Sequence, residues 1–490
     1  MTEPGEGAGD LIVSGGGTSM VATDVVMAQI DVMRRVQADA AGWQGRLGRI
    51  RSLETTRASF WMPADTGMSL LHAAMSVEAI EIASGDLADK LSQAADAYGE
   101  AERIAVGFER AAGELGGWLV GWNLRVFGPI ELLAAARLAT QAGIALVGIV
   151  AVMSWATGKS PHRVLADLSD AVRLDPRLLT STAFVAALRV VVSSLDDVGV
   201  GFLGGPPPVS HLLGEGGLGL LGVTGLASGA RAFGYPLGVL GTTSVTVTQV
   251  GAGRPVSPPS GVEDAASRIP PARDHQPQVR IEQYGDPEHP TWAVYIAGTV
   301  DWSPAPQGEP WDLSSNVAAM AHENAGSYAA VMQAMRQAGI EPDAPVALFG
   351  HSQGGLVAEQ VAASGAFNAG VVATFGAPES PVPIPEGVTH LTVEHTDDLV
   401  PALGGLPAVA AASVGRVLVR SEAFRDRVVP TDSSLPAHAM TSYVATARDI
   451  DLSSDSRLVA GRARLADMFG SAPGRVTAWR GERVTATAGE

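Results

Sequence analysis

The chain has 490 residues, 46% of them hydrophobic and only 17% charged, a balance that describes folded domains with large cores and excludes a disordered chain. Its formal charge of −18 argues against nucleic acid and anionic membrane surfaces as electrostatic partners. Cysteine is absent, which excludes disulfides, cysteine-ligated metals and thiol catalysis.

Residues 1–19 are Gly-rich and read as a mobile N-terminus. Their acidic start, Met1-Thr2-Glu3-Pro4-Gly5-Glu6, has no basic stretch leading into an apolar run, so a Sec-type signal is not expected. From Thr23 the pattern turns helical. Val26, Ile30, Met33, Gln37 and Ala40 share one stripe, with Thr23 or Asp24 as N-cap. A second apolar-spaced run spans Met68–Ile82. A third helix is expected from Asp86 to about Arg110, with Leu87, Leu91, Ala94, Tyr98, Ala101 and Ala105 on one face. Residues 110–200 continue Ala/Leu/Val-rich, so 20–198 reads as an α-helical hairpin or bundle region. Within it, residues 138–158 carry no charge and reach membrane-spanning length. Thr140, Gln141 and Ser154 dilute the stretch, which favours a buried helix over membrane contact.

Two short motifs mark the helical region: Trp43-Gln44-Gly45 at the expected end of the first helix, and Tyr98 with Glu102 in the third. Together they resemble the WxG-type helical hairpins exported by type VII secretion. That resemblance implies a turn role for Trp43 and Gly45 and an export-signal role for Tyr98 and Glu102. It also implies a helical partner or secretion machinery as binding partner, and a secreted or cell-surface location by a non-Sec route. The stretch between the motifs is longer than a simple hairpin needs. A competing reading makes Trp43 and Tyr98 core aromatics of an amphipathic bundle and leaves the chain cytoplasmic or membrane-associated.

Residues 199–277 are rich in glycine and proline, with Pro206-Pro207-Pro208 early and Pro255, Pro258, Pro259, Pro270, Pro271 and Pro277 late, and read as a connection and linker. A short helical piece around Val262–Ile269 interrupts it. At Val279 the texture changes. Apolar strands at 279–284, 292–297, 346–349, 371–375, 389–393 and 416–419 alternate with helical segments, Ser314–Gln337 being one, which argues for a mostly parallel sheet covered by helices on both faces. The tail 451–490 reads as a C-terminal extension, with a helix to about Phe469 and a hairpin at Arg475-Val476 and Arg483-Val484. It carries no functional signal.

The chemistry centres on Gly350-His351-Ser352-Gln353-Gly354, which follows the apolar run Val346–Phe349 and opens a helical segment. A strand, a G-x-S-x-G turn and a helix are the setting in which such a turn lifts a serine hydroxyl off the sheet. Gly350 and Gly354 are needed because the turn leaves no room for side chains there. A nucleophilic serine needs a base and an acid that orients the base, in the chain order serine, acid, histidine. Of ten histidines, three follow Ser352: His390, His395 and His438. The first two precede every plausible acid, which leaves His438, in the loop before a helix at 439–447. Asp397 and Asp398 follow the strand ending near Glu394, at the carboxyl end of the sheet where ligands bind in such folds. Asp426 and Asp432 are outside candidates. The oxyanion hole would take its donors from the amides of Gln353 and Thr299, with Gly298 permitting the turn.

Residues 278–450 resemble an actinobacterial α/β-hydrolase of the lipase or esterase type. The resemblance is carried by Ile296-Ala297-Gly298-Thr299 with Asp301-Trp302, the Ser352 pentapeptide with Gly355, Phe375-Gly376-Ala377-Pro378, Glu394 through Pro401, and His438 with Tyr443. Its D-x-V-P element places the acid at Asp398. Ala297 departs from the pattern, since many relatives carry proline there. The implied class is an α/β protein, an α/β-hydrolase fold preceded by an all-α helical domain. The implied activity is cleavage of a lipid or small acyl ester through Ser352, His438 and Asp398, with no metal or cofactor. Two alternatives share these residues: an acyltransferase on the same triad, and a secretion-system interaction protein with an accessory hydrolase domain.

Overall fold

A computed structural model of the chain describes residues 11–15, 21–56, 67–90, 163, 180–193, 223–234, 240–241, 243–303, 307–380, 382–405, 416–425, 428–430 and 435–484. Two compact units divide it, Thr18–Glu109 on the one hand and Met1–Gly17 with Arg110–Glu490 on the other.

The smaller unit holds helix α1, Val21–Thr56, and helix α2 over residues 67–90. They run antiparallel: Arg34 Nη2 meets Asp89 Oδ1 at 2.6 Å, and a Cβ on Gly85 would stand 2.5 Å from Gln37 Nε2. Ile30, Ala40 and Ala88 are buried. Three expectations are corrected here. First, α1 continues unbroken through Trp43-Gln44-Gly45, so these residues form no turn. A glycine costs a helix only about 1 kcal/mol, too little to end it between good helix formers. Second, Trp43 is 54% exposed with the Arg46 guanidinium over its ring, and is therefore not a core aromatic either. Third, the run Met68–Ile82 and the segment from Asp86 belong to one helix, because Gly85 is where α2 approaches α1. Tyr98, Glu102 and 138–158 lie outside the described residues. Among those described, no helix is long and apolar enough to cross a membrane.

The larger unit is built on a nine-stranded sheet. Its strands are β1 Ile12–Gly15, β2 Val245–Val256, β3 Val279–Asp286, β4 His289–Ile296, β5 Pro345–His351, β6 Asn368–Phe375, β7 Thr389–His395, β8 Arg416–Ser421 and β9 Gly474–Arg483, in the spatial order 1-8-7-6-5-4-3-9-2. Strands β4 to β8 pair in parallel. The remaining pairings, β1 on β8, β3 on β4, and β9 between β3 and β2, are antiparallel. Its helices are α3 Thr182–Ser193, α4 Val223–Gly234, α5 Val262–Ser267, α6 Leu313–Met320, α7 Gly326–Gln337, α8 Gln353–Ala363, the single turn α9 Leu399–Ala402, α10 Met440–Leu452 and α11 Ser456–Phe469.

Strand periodicity sorts the side chains to two faces. Trp292, Val294, Ile296, Val346 and Leu348 pack with Val331 and Met335 of α7 and Val357 and Val361 of α8. On the opposite face Tyr295 stacks on Phe349 at 4.9 Å, and Phe469 of α11 packs against Tyr284 at 5.1 Å. That face also buries Glu282, whose charge is met by Arg268, Arg280 and the Tyr284 hydroxyl.

Several boundaries differ from the sequence reading. Residues 12–15, expected to be mobile, form edge strand β1 on β8. The 199–277 linker contains α4, β2 and α5. Gly251 and Gly253 sit where the β2 register shifts between Val250 and Arg254, and Pro255 is tolerated because β2 is an edge strand. Of the tail, the described residues 451–484 are no extension and form no hairpin, since β9 is one strand clasped between β3 and β2. The helix expected over 314–337 is two, α6 and α7, with His322 at φ 59° between them.

Candidate active site

Strand β5 ends at His351 and α8 begins at Gln353, so Ser352 alone makes the turn, at φ 54° and ψ −123°. A non-glycine residue with positive φ is held there against local strain of about 1–3 kcal/mol. Its amide donates to Phe375 O at 2.9 Å, and its carbonyl accepts from Gly355 N at 2.9 Å. The glycine requirement is visible directly. A Cβ on Gly350 would stand 2.1 Å from Gly354 O, and one on Gly354 would stand 2.3 Å from Ile296 O. Both obstacles are backbone, which cannot swing aside, so Gly350→Ala is expected to destabilise the protein by about 3 kcal/mol or more. A thermal melt unchanged from wild type would contradict this account of the turn.

Past β7, the two adjacent aspartates separate by role. Asp398 caps α9 by accepting from Val400 N at 2.9 Å through Oδ1. Its Oδ2 accepts from His438 Nδ1 and from the Tyr443 hydroxyl, both at 2.7 Å. Burial pushes the Asp398 carboxyl up, but the facing His438 and these hydrogen bonds outweigh burial and hold it below its ordinary value. Asp397 turns away to accept from Ala423 N and Phe424 N, and burial raises its pKa. Geometry thus gives Asp398 the histidine and gives Asp397 a loop. Asp426 and Asp432 lie outside the described residues.

His438 sits in a short 3-10 turn, Pro436–His438, just before α10. Two other histidines hold that turn. His351, the residue before Ser352, contacts His438 O through Nε2 at 2.9 Å, with the two rings 4.8 Å apart. His395 stacks on Tyr443 at 3.9 Å and contacts Ala437 O through Nδ1 at 2.8 Å. A carbonyl only accepts, so each of these ring nitrogens carries a proton and donates. His390 is away from this cluster, beside Glu359 at 3.1 Å.

Burial, and then the neighbouring His438, lower the His351 pKa to about 3 from an ordinary 6.5. The unfolded chain therefore takes up a proton there that the native state refuses, once the pH falls below about 6.5. Native stability should drop by about 1.4 kcal/mol per pH unit for that proton, down to about pH 3. His395, also lowered by burial, acts in the same direction. So does Asp398, whose contribution is lost as the pH falls through its depressed native value. Urea midpoints measured from pH 7 to 4 should decline more steeply in wild type than in His351→Gln, and identical profiles would exclude a neutral buried His351.

The loop after β4 completes the arrangement. A Cβ on Gly298 would stand 3.2 Å from Ser352 Cβ and 3.0 Å from His351 Nδ1, so this loop passes directly against the turn. Thr299 follows, buried, its Oγ1 accepting from Asn316 Nδ2 at 2.9 Å. Ala297 donates its amide to Gln278 O at 2.9 Å, a bond that proline could not make. Gln353 is the first residue of α8, where backbone N–H groups have no partner within the helix and the helix dipole favours negative charge. Among the described residues, no group of three or more His, Asp or Glu side chains could hold a metal ion.

The positions of Ser352, Asp398, His438, Gln353 and Thr299 thus converge at the carboxyl ends of β4, β5 and β7. Sequence reasoning missed the contact of His351 with the His438 turn and the tie from Asn316 to Thr299, because both depend on which loops meet in space.

A sheet whose strands β4 to β8 run parallel, with helices on both faces and a strained serine between a central strand and its helix, has the form of the α/β-hydrolase fold. Residues 276–390 match the family model described as alpha/beta hydrolase, which makes this an α/β-hydrolase segment and supports a hydrolase-type function. The match includes Thr299, Ser352 and Gln353 and stops short of Asp398 and His438. No curated protein and no solved structure matches the chain.

Proposed function

We propose that this protein is a serine hydrolase that cleaves carboxylic esters. Ser352 Oγ attacks the ester carbonyl carbon while His438 Nε2 takes its proton, and the Gln353 and Thr299 amides receive the developing oxyanion. The carbonyl re-forms as the alcohol departs with the proton from His438, leaving an acyl-serine. Water then attacks that acyl group with His438 again as base, releasing the acid and restoring Ser352. Asp398 fixes the histidine tautomer and stabilises the imidazolium.

The observation that carries this reading is the 2.7 Å His438–Asp398 bond, on a loop tied by His351 to the turn that holds Ser352 at φ 54°. An activated fluorophosphonate should label wild type and not Ser352→Ala. Equal absence of label in both would remove the reading. A chain-length series of nitrophenyl esters then separates a small-acyl from a lipid-type preference by where kcat/KM peaks.

A further inference from the structure

We propose that Arg483, in the last strand of the chain, is a positioning residue for the oxyanion hole and acts through Asp312. The inference rests on the serine-hydrolase reading above. It concerns a part of the chain that the hydrolase chemistry leaves unused.

Arg483 ends β9, and its guanidinium grips Asp312 with two parallel bonds, Nε to Oδ2 at 2.9 Å and Nη2 to Oδ1 at 2.8 Å. The side chains are 1% and 0% exposed. The same fork reaches Glu309 O at 3.2 Å, Thr243 Oγ1 at 3.1 Å and Ser315 Oγ at 3.1 Å, while the Arg483 amide donates to Gly308 O at 2.8 Å. The end of β9 therefore straps down residues 308–315 by main chain and side chain together. Asp312 in turn caps α6 by accepting from Ser315 N at 2.8 Å.

From Asp312 the structure leads to both proposed oxyanion donors. On the Gln353 side, the Gln353 side-chain amide donates to Asp312 O at 3.0 Å. On the Thr299 side, Trp311 O accepts from Val300 N at 2.8 Å and Asp301 N at 3.1 Å, and Leu313 N donates to Asp301 O at 3.0 Å. One turn into α6, Asn316 holds the Thr299 hydroxyl at 2.9 Å. The two amides follow different strands, β4 and β5, and the short segment 311–316 around Asp312 is the stretch to which both are tied. The Gln353 side is tied at Asp312 itself, the Thr299 side at Trp311, Leu313 and Asn316. Oxyanion donors must sit within a few tenths of an ångström of the developing charge, so a fixed common anchor has a direct catalytic consequence. Arginine suits the anchor because its planar fork satisfies both carboxylate oxygens at once. Lysine offers a point charge without that geometry.

The test uses the full chain as wild type, Asn316→Ala and Arg483→Lys. It compares kcat and KM on nitrophenyl butyrate, the rate of fluorophosphonate labelling, the pH profile and the melting temperature. Asn316 is only partly buried, so Asn316→Ala is expected to melt near wild type. It should lower kcat and the labelling rate by about 10-fold, with KM within about 2-fold and the pH profile unmoved. Arg483→Lys should lose about 10- to 100-fold in kcat in the same pattern. If Arg483→Lys fails to fold, Arg483→Gln, whose planar amide keeps one N–H donor toward Asp312, is measured in its place, and Asn316→Ala reports the Thr299 tie alone. Folded variants with wild-type kcat and labelling rate would overturn the inference, as would losses that only track the unfolded fraction. A wild type that neither labels nor turns over would instead overturn the hydrolase reading, which keeps the two failures apart.

Discussion

Ser352→Ala is expected to lower kcat on an activated ester by about a million-fold, to the residual level that binding and oxyanion donors give without a nucleophile. The substitution removes one oxygen and leaves Cβ, so the turn keeps its shape: Ser352 N still donates to Phe375 O and Ser352 O still accepts from Gly355 N. KM should change little, because substrate contacts outside the reacting atom persist. The strained backbone adds a second expectation. At φ 54° and ψ −123° a side chain is unwelcome, so Ser352→Gly should be equally inactive yet more stable than Ser352→Ala, by about 1 kcal/mol. Steady-state turnover and thermal melts of the two variants check both parts. Retained turnover in either would remove Ser352 as nucleophile.

Asp398→Asn is expected to lower kcat by about ten-thousand-fold with the fold intact. Asp398 Oδ1 accepts from Val400 N, and an asparagine carbonyl can keep that bond. The amide nitrogen then faces His438 Nδ1 and the Tyr443 hydroxyl, where the carboxylate accepted two protons. Donating to Nδ1 forces the imidazole proton onto Nε2, the nitrogen that must accept the serine proton. The native geometry is thus inverted by one atom. Asp397→Asn is the control next door: Asp397 accepts from Ala423 N and Phe424 N, so its loss should affect stability by about 1 kcal/mol and leave kcat near wild type. Equal effects of the two substitutions on kcat would contradict the assignment of roles.

The parts of the site that were legible in the sequence are those encoded locally. A buried apolar strand, a turn that needs glycine twice and a helix after it leave their mark within about fifteen residues, and β5, Ser352 and α8 stand where that mark placed them. His438 is singled out because few histidines follow Ser352 and chain order restricts them, while the choice of Asp398 over Asp397 comes only from the family resemblance. The 2.7 Å bond between Asp398 and His438 is consistent with that choice.

Local pattern misled where a glycine or proline has more than one use. Gly45 reads as a turn and is absorbed in the middle of α1. Gly251, Gly253 and Pro255 read as linker and belong to an edge strand with a bulge. The short Ile12–Gly15 has no partner within its own neighbourhood, and neither do the ends of Gly474–Arg483. They become strands only because β8, β3 and β2 present open edges to them.

By itself, the sequence determined the class of fold, the strand–turn–helix around Ser352 and the short list of residues proposed to serve it. These follow from hydrophobic period, glycine sterics and the chemistry that each side chain can do. Only the tertiary structure decided how the sheet is completed, which aspartate is bonded to His438, and that His351 holds the His438 turn while Asp312 holds the Gln353 side chain. Those are contacts between residues tens to hundreds of positions apart, such as Asp312 with Arg483, and no local pattern carries them because the free energy that selects them appears only when the segments meet.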